Sequence, residues 1–281
     1  MIQQLDPYLR MLGQQPFPLR LGGFLAAVLL GVIPIAALVI GFPRLESIAW
    51  IPLYLWLLTL LQGWSHRIRQ RNLWGTYGLT PSRQCWQDLG QGLGLGLLGL
   101  YVMFFLEGIW GWLTWQPVAI RDLLFYGGVG VLLGLGVSLA EELLFRGWLL
   151  DELRLDYGNL WASLEAMLGF AILHFIRPLE EILRTWPQFP GLLLVAAVLI
   201  LARHRTQNRL ALPLGLHAGW IWGISLIHNL DWIRYTQQVP AWVTGIDNNP
   251  LAGLMGCGFL MLSGGLVWLL TSPRSPLQDS Q

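Results

Sequence analysis

Lysine is absent from this chain of 281 residues, so all seventeen basic residues are arginine. Charged residues of every kind make up 12% of the chain, about half of the roughly 25% that soluble domains carry. The net charge of +1 gives no sign of a nucleic-acid partner. Cysteine is nearly absent too, and the two present, Cys85 and Cys257, fall in a predicted loop and in the last apolar run. These scarcities exclude a disulfide framework and an ordinary soluble domain.

Long apolar runs dominate what is present, since 54% of the residues are apolar and the mean hydropathy is +0.54. About 20 apolar residues cross a bilayer as a helix, and the first run, residues 21–41, has that length. It is too long for the apolar region of a cleaved signal peptide. We predict an all-α fold, a polytopic transmembrane bundle of about eight helices. The predicted spans are approximately residues 21–41, 48–64, 89–106, 123–147, 160–176, 190–202, 210–229 and 251–271.

Arginines are spread unevenly between the two sides of this predicted bundle. Eleven lie on the side that holds both termini, including the clusters at residues 67–71 and 203–209 and Arg274 near the end of the chain, and five lie on the other side. By the positive-inside rule, the arginine-rich side and both termini are cytoplasmic. The expected setting is the plasma membrane of a bacterium or a thylakoid membrane.

Charges interrupt the apolar run that begins at Leu123, where the chain reads Glu141-Glu142-Leu-Leu-Phe-Arg146. Each ionisable group inside a span costs about 2.5 to 3.5 kcal/mol, so such groups usually face a protein interior or water. On a helix, Glu142 and Arg146 share a face and can pair, while Glu141 points to a different interior surface. The alternative interpretation is an ordinary charge pair where the helix surfaces at the membrane boundary.

Two histidines lie within the following apolar runs, His174 after Phe170 and His217 in the seventh run. A single intramembrane histidine is more often a satisfied interhelical hydrogen bond than a ligand. Two histidines and two carboxylates on separate interior helices, however, form the side-chain set of a site that activates water. The combination therefore predicts a hydrolytic site that none of its members would predict alone.

Glu141-Glu142-x-x-x-Arg146, Phe170-x-x-x-His174 and His217, in this order on successive runs, resemble the three motifs of the CPBP family. This family contains CAAX prenyl endopeptidases and bacteriocin-processing proteins, is also called Abi, and consists of intramembrane proteases. The resemblance covers roughly residues 85–229. The third motif departs from the family pattern, because Ile221 stands where family members commonly carry asparagine or another polar residue.

The resemblance implies hydrolysis of a peptide bond in a membrane-associated protein or peptide, by water that a glutamate and a histidine activate. Glu141 would be the activating carboxylate, Glu142 with Arg146 its support, and His174 the group that positions water or metal. His217 would be a third-motif ligand or a transition-state donor. Two mechanisms stay open: Glu141, His174 and His217 hold a divalent metal such as zinc, or a glutamate acts as general base without one.

This interpretation divides the chain into three parts. Residues 1–84 are an N-terminal segment with two family-variable helices, residues 85–229 the catalytic core, and residues 230–281 an outer loop with the last helix and tail. The site is expected to open toward the cytoplasmic half, and the oligomeric state is unknown. One competing function is a catalytically inactive scaffold or regulator, which Ile221 favours. Another is a transporter with a carboxylate proton relay, which lacks the expected interrupted repeats.

Overall fold

A computed structural model describes residues 6–271, and helices make up nearly all of its regular structure. The predicted all-α helical bundle is confirmed. Arg274 and the two chain ends lie outside the described residues. The helices are α1 (Asp6–Gly13), α2 (Phe17–Gly41), α3 (Trp50–Gly63), α4 (Leu73–Thr76), α5 (Arg83–Ile109), α6 (Ile120–Glu141), α7 (Leu150–Leu173), α8 (Leu179–Thr185), α9 (Phe189–Arg205), α10 (Ala211–Asn229), α11 (Ala241–Thr244) and α12 (Leu254–Leu270), and the strands are β1 (Leu113–Trp115) and β2 (Ile233–Tyr235).

Each of the eight predicted apolar runs coincides with a helix. The sixth run, predicted as short, is part of the 17-residue helix α9. By length and composition, four continuous helical stretches can cross a membrane, and α12 is a shorter apolar helix. These findings support an integral membrane protein. The four stretches are Phe17–Gly41, Arg83–Ile109, Ile120–Leu173 and Leu179–Arg205.

The fourth and fifth runs are joined more closely than the sequence predicts. A π-helical segment, Glu142–Leu149, continues α6 directly into α7. The break between the two runs is Gly158, whose φ of 72° lies in the left-handed region that glycine adopts without strain. His174, predicted inside the fifth span, is the first residue after α7, which ends at Leu173.

Helix α10 lies at the centre of the bundle, where glycines allow neighbouring backbones to approach it closely. A Cβ on Gly92 or Gly96 of α5 would overlap backbone atoms of α10 at Leu212 or Leu216. A Cβ on Gly134 of α6 would lie 2.8 Å from the carbonyl oxygen of Ala218. The backbone of α10, which carries His217, is therefore held directly against α5 and α6.

A small antiparallel sheet closes one end of the bundle, with Leu113 opposite Tyr235. Under it, the Tyr235 hydroxyl donates a 3.1 Å hydrogen bond to Glu107, a carboxylate with no exposed surface. Burial, and then the charge of Glu107, raise the pKa of Tyr235, so the hydroxyl keeps the proton that it donates. The bond fixes the connection between α10 and α12.

At the other end, a buried ion cluster ties the N-terminal helices to α7. Glu152, which is 3% exposed, accepts a 2.9 Å hydrogen bond from Trp64 Nε1, and its Oε2 lies 2.7 Å from Arg20 Nε. Arg69 pairs with the same carboxylate. Because a buried charge must be paired, this cluster fixes where residues 6–69 dock on the rest of the bundle.

Candidate active site

The first motif lies at the junction between α6 and the π-helical segment, with Glu141 last in α6 and Glu142 first in the segment. The predicted pair is present, since Arg146 Nη1 lies 3.1 Å from Glu142 Oε1. The side chains of Glu142 and Arg146 are 0% and 1% exposed, whereas that of Glu141 is 27% exposed. One acid is therefore neutralised inside the protein, and its neighbour remains accessible.

Aromatic and backbone contacts hold Arg146 in place. Its guanidinium lies 4.3 Å from the ring centroid of Phe170, which is itself buried. Arg203 donates to the carbonyl oxygen of Arg146 and, through Nη2, a 2.7 Å hydrogen bond to Asp151. The sequence places Arg203 in a solvated arginine cluster, but Arg203 is 2% exposed and contacts the backbone of the first motif.

His217 joins the two glutamates of the motif. Its Nδ1 lies 2.8 Å from Glu142 Oε1 and, because an ionised carboxylate only accepts, the ring nitrogen donates this hydrogen bond. The proton on Nδ1 leaves Nε2 of the neutral ring as an acceptor, and Nε2 lies 3.8 Å from Glu141 Oε2. The contact between His217 and Glu142 was not predicted, because no sequence rule connects residues 75 positions apart.

His174 caps the end of α7 and is oriented in the same way. Its Nδ1 lies 2.7 Å from the carbonyl oxygen of Phe170, so Nδ1 donates and Nε2 of the neutral ring is again the acceptor. The imidazole packs on the Phe170 ring at a centroid distance of 4.4 Å. The Phe170 ring thus contacts both His174 and Arg146.

A cavity of about 470 Å³ connects these groups, with Glu141, His174 and His217 in its lining. The wall is otherwise mostly apolar and includes Ile221, where the resembled family carries a polar residue. The lining reaches the exposed residues Arg177 and His228, so the cavity extends to the protein surface there.

This direction differs from the predicted one. The lining also includes Asn249 and Pro250, in the connection between α10 and α12, and Arg177, in the chain after α7. Both connections belong to the side that the arginine count predicts to be non-cytoplasmic. Within the predicted topology, the cavity therefore reaches the surface on the arginine-poor side, whereas the sequence predicts an opening toward the cytoplasmic half. Which side faces the cytoplasm stays a prediction.

The donor set fits a metal in part. Both histidines donate Nδ1–H to a fixed acceptor and keep Nε2 as an acceptor, which is the outer-shell arrangement of metal-binding histidines. Nevertheless, within residues 6–271 no three His, Cys, Asp or Glu side chains are close enough together to hold an ion. Glu141 and His217 converge, and His174 stands apart from them in the same cavity. The arrangement thus lacks a three-ligand metal centre.

Two further polar residues in the cavity were not predicted, namely Gln188 and Trp220, each less than a tenth exposed. Gln188 lies between two prolines in the turn before α9, a context that signals a turn and nothing about chemistry. Trp220 is one of sixteen tryptophans, and its place one helical turn after His217 is the sole clue in the sequence.

Comparisons with known proteins point to the same part of the chain. Residues 123–223 match the family described as type II CAAX prenyl endopeptidase, Rce1-like. The matched range contains all five predicted site residues and lies within the range assigned to the motif resemblance. No curated protein and no solved structure matches the chain.

Proposed function

Residues 123–223 belong to the CPBP family of CAAX proteases, and on this premise we propose that Glu141 activates the water with which the chain hydrolyses a peptide bond. The family consists of membrane proteases that act on membrane-associated proteins. The observation that carries the proposal is that Glu141, His174 and His217 line one cavity, and that His217 also contacts the buried pair of Glu142 and Arg146.

Water activation follows from the acceptors that face the cavity. Glu141 Oε2 and His217 Nε2 are 3.8 Å apart, too far for a direct hydrogen bond and suitable for one water molecule that donates to both. Nε2 of His174 is a further acceptor in the lining of the same cavity. Of these groups, the carboxylate of Glu141 is the base that takes the proton.

The reaction then proceeds in two steps. As Glu141 takes a proton from the water, the water oxygen bonds to the carbonyl carbon of the scissile peptide, and the carbonyl oxygen becomes an oxyanion. When this tetrahedral intermediate collapses, the carbon–nitrogen bond breaks. Glu141 returns its proton to the leaving amine, and the enzyme is ready for another water.

The remaining motif residues position the reacting groups. Glu142 accepts the hydrogen bond that fixes the His217 ring, and Arg146 compensates the charge of Glu142. Without Arg146, Glu142 would be a buried charge with no counter-ion, and the acceptor that fixes His217 would be destabilised. These two residues therefore act through His217 and do not contact the substrate.

Separate Glu141→Gln and His174→Ala variants test the proposal. The assay uses purified protein in liposomes and internally quenched peptides that end in Cys, two aliphatic residues and a variable residue, with and without a farnesyl group. We expect both variants to cleave at least 10²-fold more slowly than the unsubstituted chain, within the 10² to 10⁴ range for a general base. Glu165→Gln, a matched change of an exposed glutamate on α7, should cleave normally.

Ile221 favours a second candidate function, an inactive scaffold that keeps the family bundle, because it puts an apolar side chain in the cavity wall. A scaffold would bind its partners equally well with glutamine at position 141. Normal cleavage by both Glu141→Gln and His174→Ala would overturn the assignment of the site. A cellular phenotype that survives Glu141→Gln would favour the scaffold.

A further inference from the structure

Within residues 6–271, three residues of the cavity lining have a buried polar atom with no hydrogen-bond partner: Glu141 Oε2, Gln188 Nε2 and Trp220 Nε1. An unsatisfied buried group costs about 1 to 3 kcal/mol, so such groups in a native protein need a physical reason. Glu141 Oε2 has one as the base of the proposed reaction. The other two atoms are N–H donors, and the role of Glu141 as a base does not explain why they lack a partner.

Gln188 is held so that its donor end is left over. Its Oε1 accepts a 3.0 Å hydrogen bond from Asn249 Nδ2, and Asn249 in turn accepts one from the backbone N–H of Leu251. These contacts fix the carboxamide plane and leave the NH₂ group unpaired. The side chain is 6% exposed, so bulk water does not satisfy that group.

Trp220 supplies the second donor in the cavity lining. It follows His217 by three positions on α10, so the two side chains project from neighbouring positions on that helix. The indole packs edge-on against Phe259 at a centroid distance of 6.4 Å, which restricts its rotation. Trp220 is 7% exposed, and its Nε1 has no acceptor among the described residues.

We propose that Gln188 Nε2 and Trp220 Nε1 are catalytic donors that hydrogen-bond the oxyanion formed when water adds to the scissile carbonyl. Peptide hydrolysis places a negative charge on that oxygen, and fixed donors in a site that excludes water stabilise it strongly. Ile221 cannot supply such a donor. The inference rests on the proposed hydrolysis, which also explains why the donors have no partner in the free protein.

Gln188→Glu is the most informative variant, because the carboxylate can still accept the hydrogen bond from Asn249 but has lost the NH₂ donor. In the liposome assay with the quenched peptides, we expect kcat to fall by about 10² to 10³, with KM changed less than threefold. Trp220→Phe, which keeps an aromatic ring and removes the N–H, should also lower kcat. Gln62→Leu is the matched control, since the Gln62 amide also has an unpartnered buried atom but lies outside the cavity lining.

A purely structural role predicts a different result. It would lower the thermal unfolding temperature along with activity, whereas Trp220→Phe removes an unsatisfied donor, keeps the aromatic ring and should leave that temperature within a few degrees of its original value. Normal kcat in Gln188→Glu and Trp220→Phe, with activity lost in Glu141→Gln, would overturn the donor assignment and leave the proposed function standing. No cleavage by the unsubstituted chain above the level of Glu141→Gln would overturn both.

Discussion

The pair of Glu142 and Arg146 shows why charges persist inside an apolar segment. Burying two ions costs more than their attraction returns unless further contacts satisfy them. Here Glu142 also accepts from His217, and Arg146 also lies against the Phe170 ring. Glu142 Oε2 and the guanidinium nitrogens of Arg146 have no hydrogen-bond partner among the described residues, so the pair is only partly satisfied. The pair is therefore retained for orienting His217, and its stabilising effect depends on both members being present.

Removing one member should destabilise the protein strongly. Arg146→Gln leaves Glu142 buried without its counter-ion, and we expect the free energy of unfolding to fall by about 3 to 5 kcal/mol. The measurement is denaturant unfolding in micelles, followed by tryptophan fluorescence. Arg184→Gln is the matched control, because Arg184 pairs with Glu181 and Asp247 at the surface and each exposed pair contributes at most about 1 kcal/mol. Equal losses in the two variants would contradict this account.

The sequence predicts the members of the site better than their contacts. Charges in an apolar run identify Glu141, Glu142 and Arg146, because ionisable groups there are costly and usually serve chemistry or transport. The sequence cannot predict that Glu142 contacts His217, nor that Gln188 enters the cavity. Those contacts depend on how distant helices and one proline-flanked turn pack, and neither leaves a pattern in the local sequence.

At the scale of elements, the fit between α5 and α10 decides where His217 lies. Gly215 of α10 meets the backbone of α5 at Leu89, and a Cβ on Gly219 would lie 2.7 Å from the carbonyl oxygen of Leu93. Both helices therefore pack backbone to backbone. His217 lies between these two glycines in sequence, so any widening of this interface would move it.

Gly215→Ala should separate the two helices and impair catalysis more than folding. The added Cβ would overlap the Leu89 carbonyl oxygen, and a displacement of about 1 Å in a catalytic group can lower the rate 10²-fold. We expect at least a tenfold slower cleavage of the quenched peptides below the unfolding temperature. Gly94→Ala is the control, because no heavy atom lies within 4 Å of a Cβ there, and its rate should be unchanged. Normal cleavage by Gly215→Ala would show that the interface does not position His217.

Hydropathy predicts the existence of these helices but not their details. An apolar run is detected whatever its hydrogen bonding, so the π-helical segment at Glu142–Leu149 has no signature in the composition. Such segments are often found at functional sites, where they reorient side chains relative to a regular helix. The short pair of strands is likewise missed, because three residues are too few for a periodic pattern.

Over the whole molecule, the arginine-rich side and the surface opening of the cavity lie on opposite predicted sides of the membrane. The buried cluster of Arg20, Arg69 and Glu152 lies on the arginine-rich side. The cavity reaches the surface at Arg177, on the other side. The positive-inside rule therefore predicts that a substrate enters from the non-cytoplasmic side. This orientation stays a prediction, as does the division at residues 84 and 229.

Cysteine labelling tests the orientation directly. In a chain with Cys85 and Cys257 replaced by serine, Arg177→Cys and Arg71→Cys put a thiol at exposed positions on opposite predicted sides. We expect a membrane-impermeant maleimide to label Arg177→Cys in intact bacterial cells. We expect it to label Arg71→Cys only after the cells have been permeabilised. The reverse pattern would place the arginine-rich side outside and direct the cavity toward the cytoplasm. Because Arg177 also lines the cavity, the labelled face is the face at which a substrate must arrive.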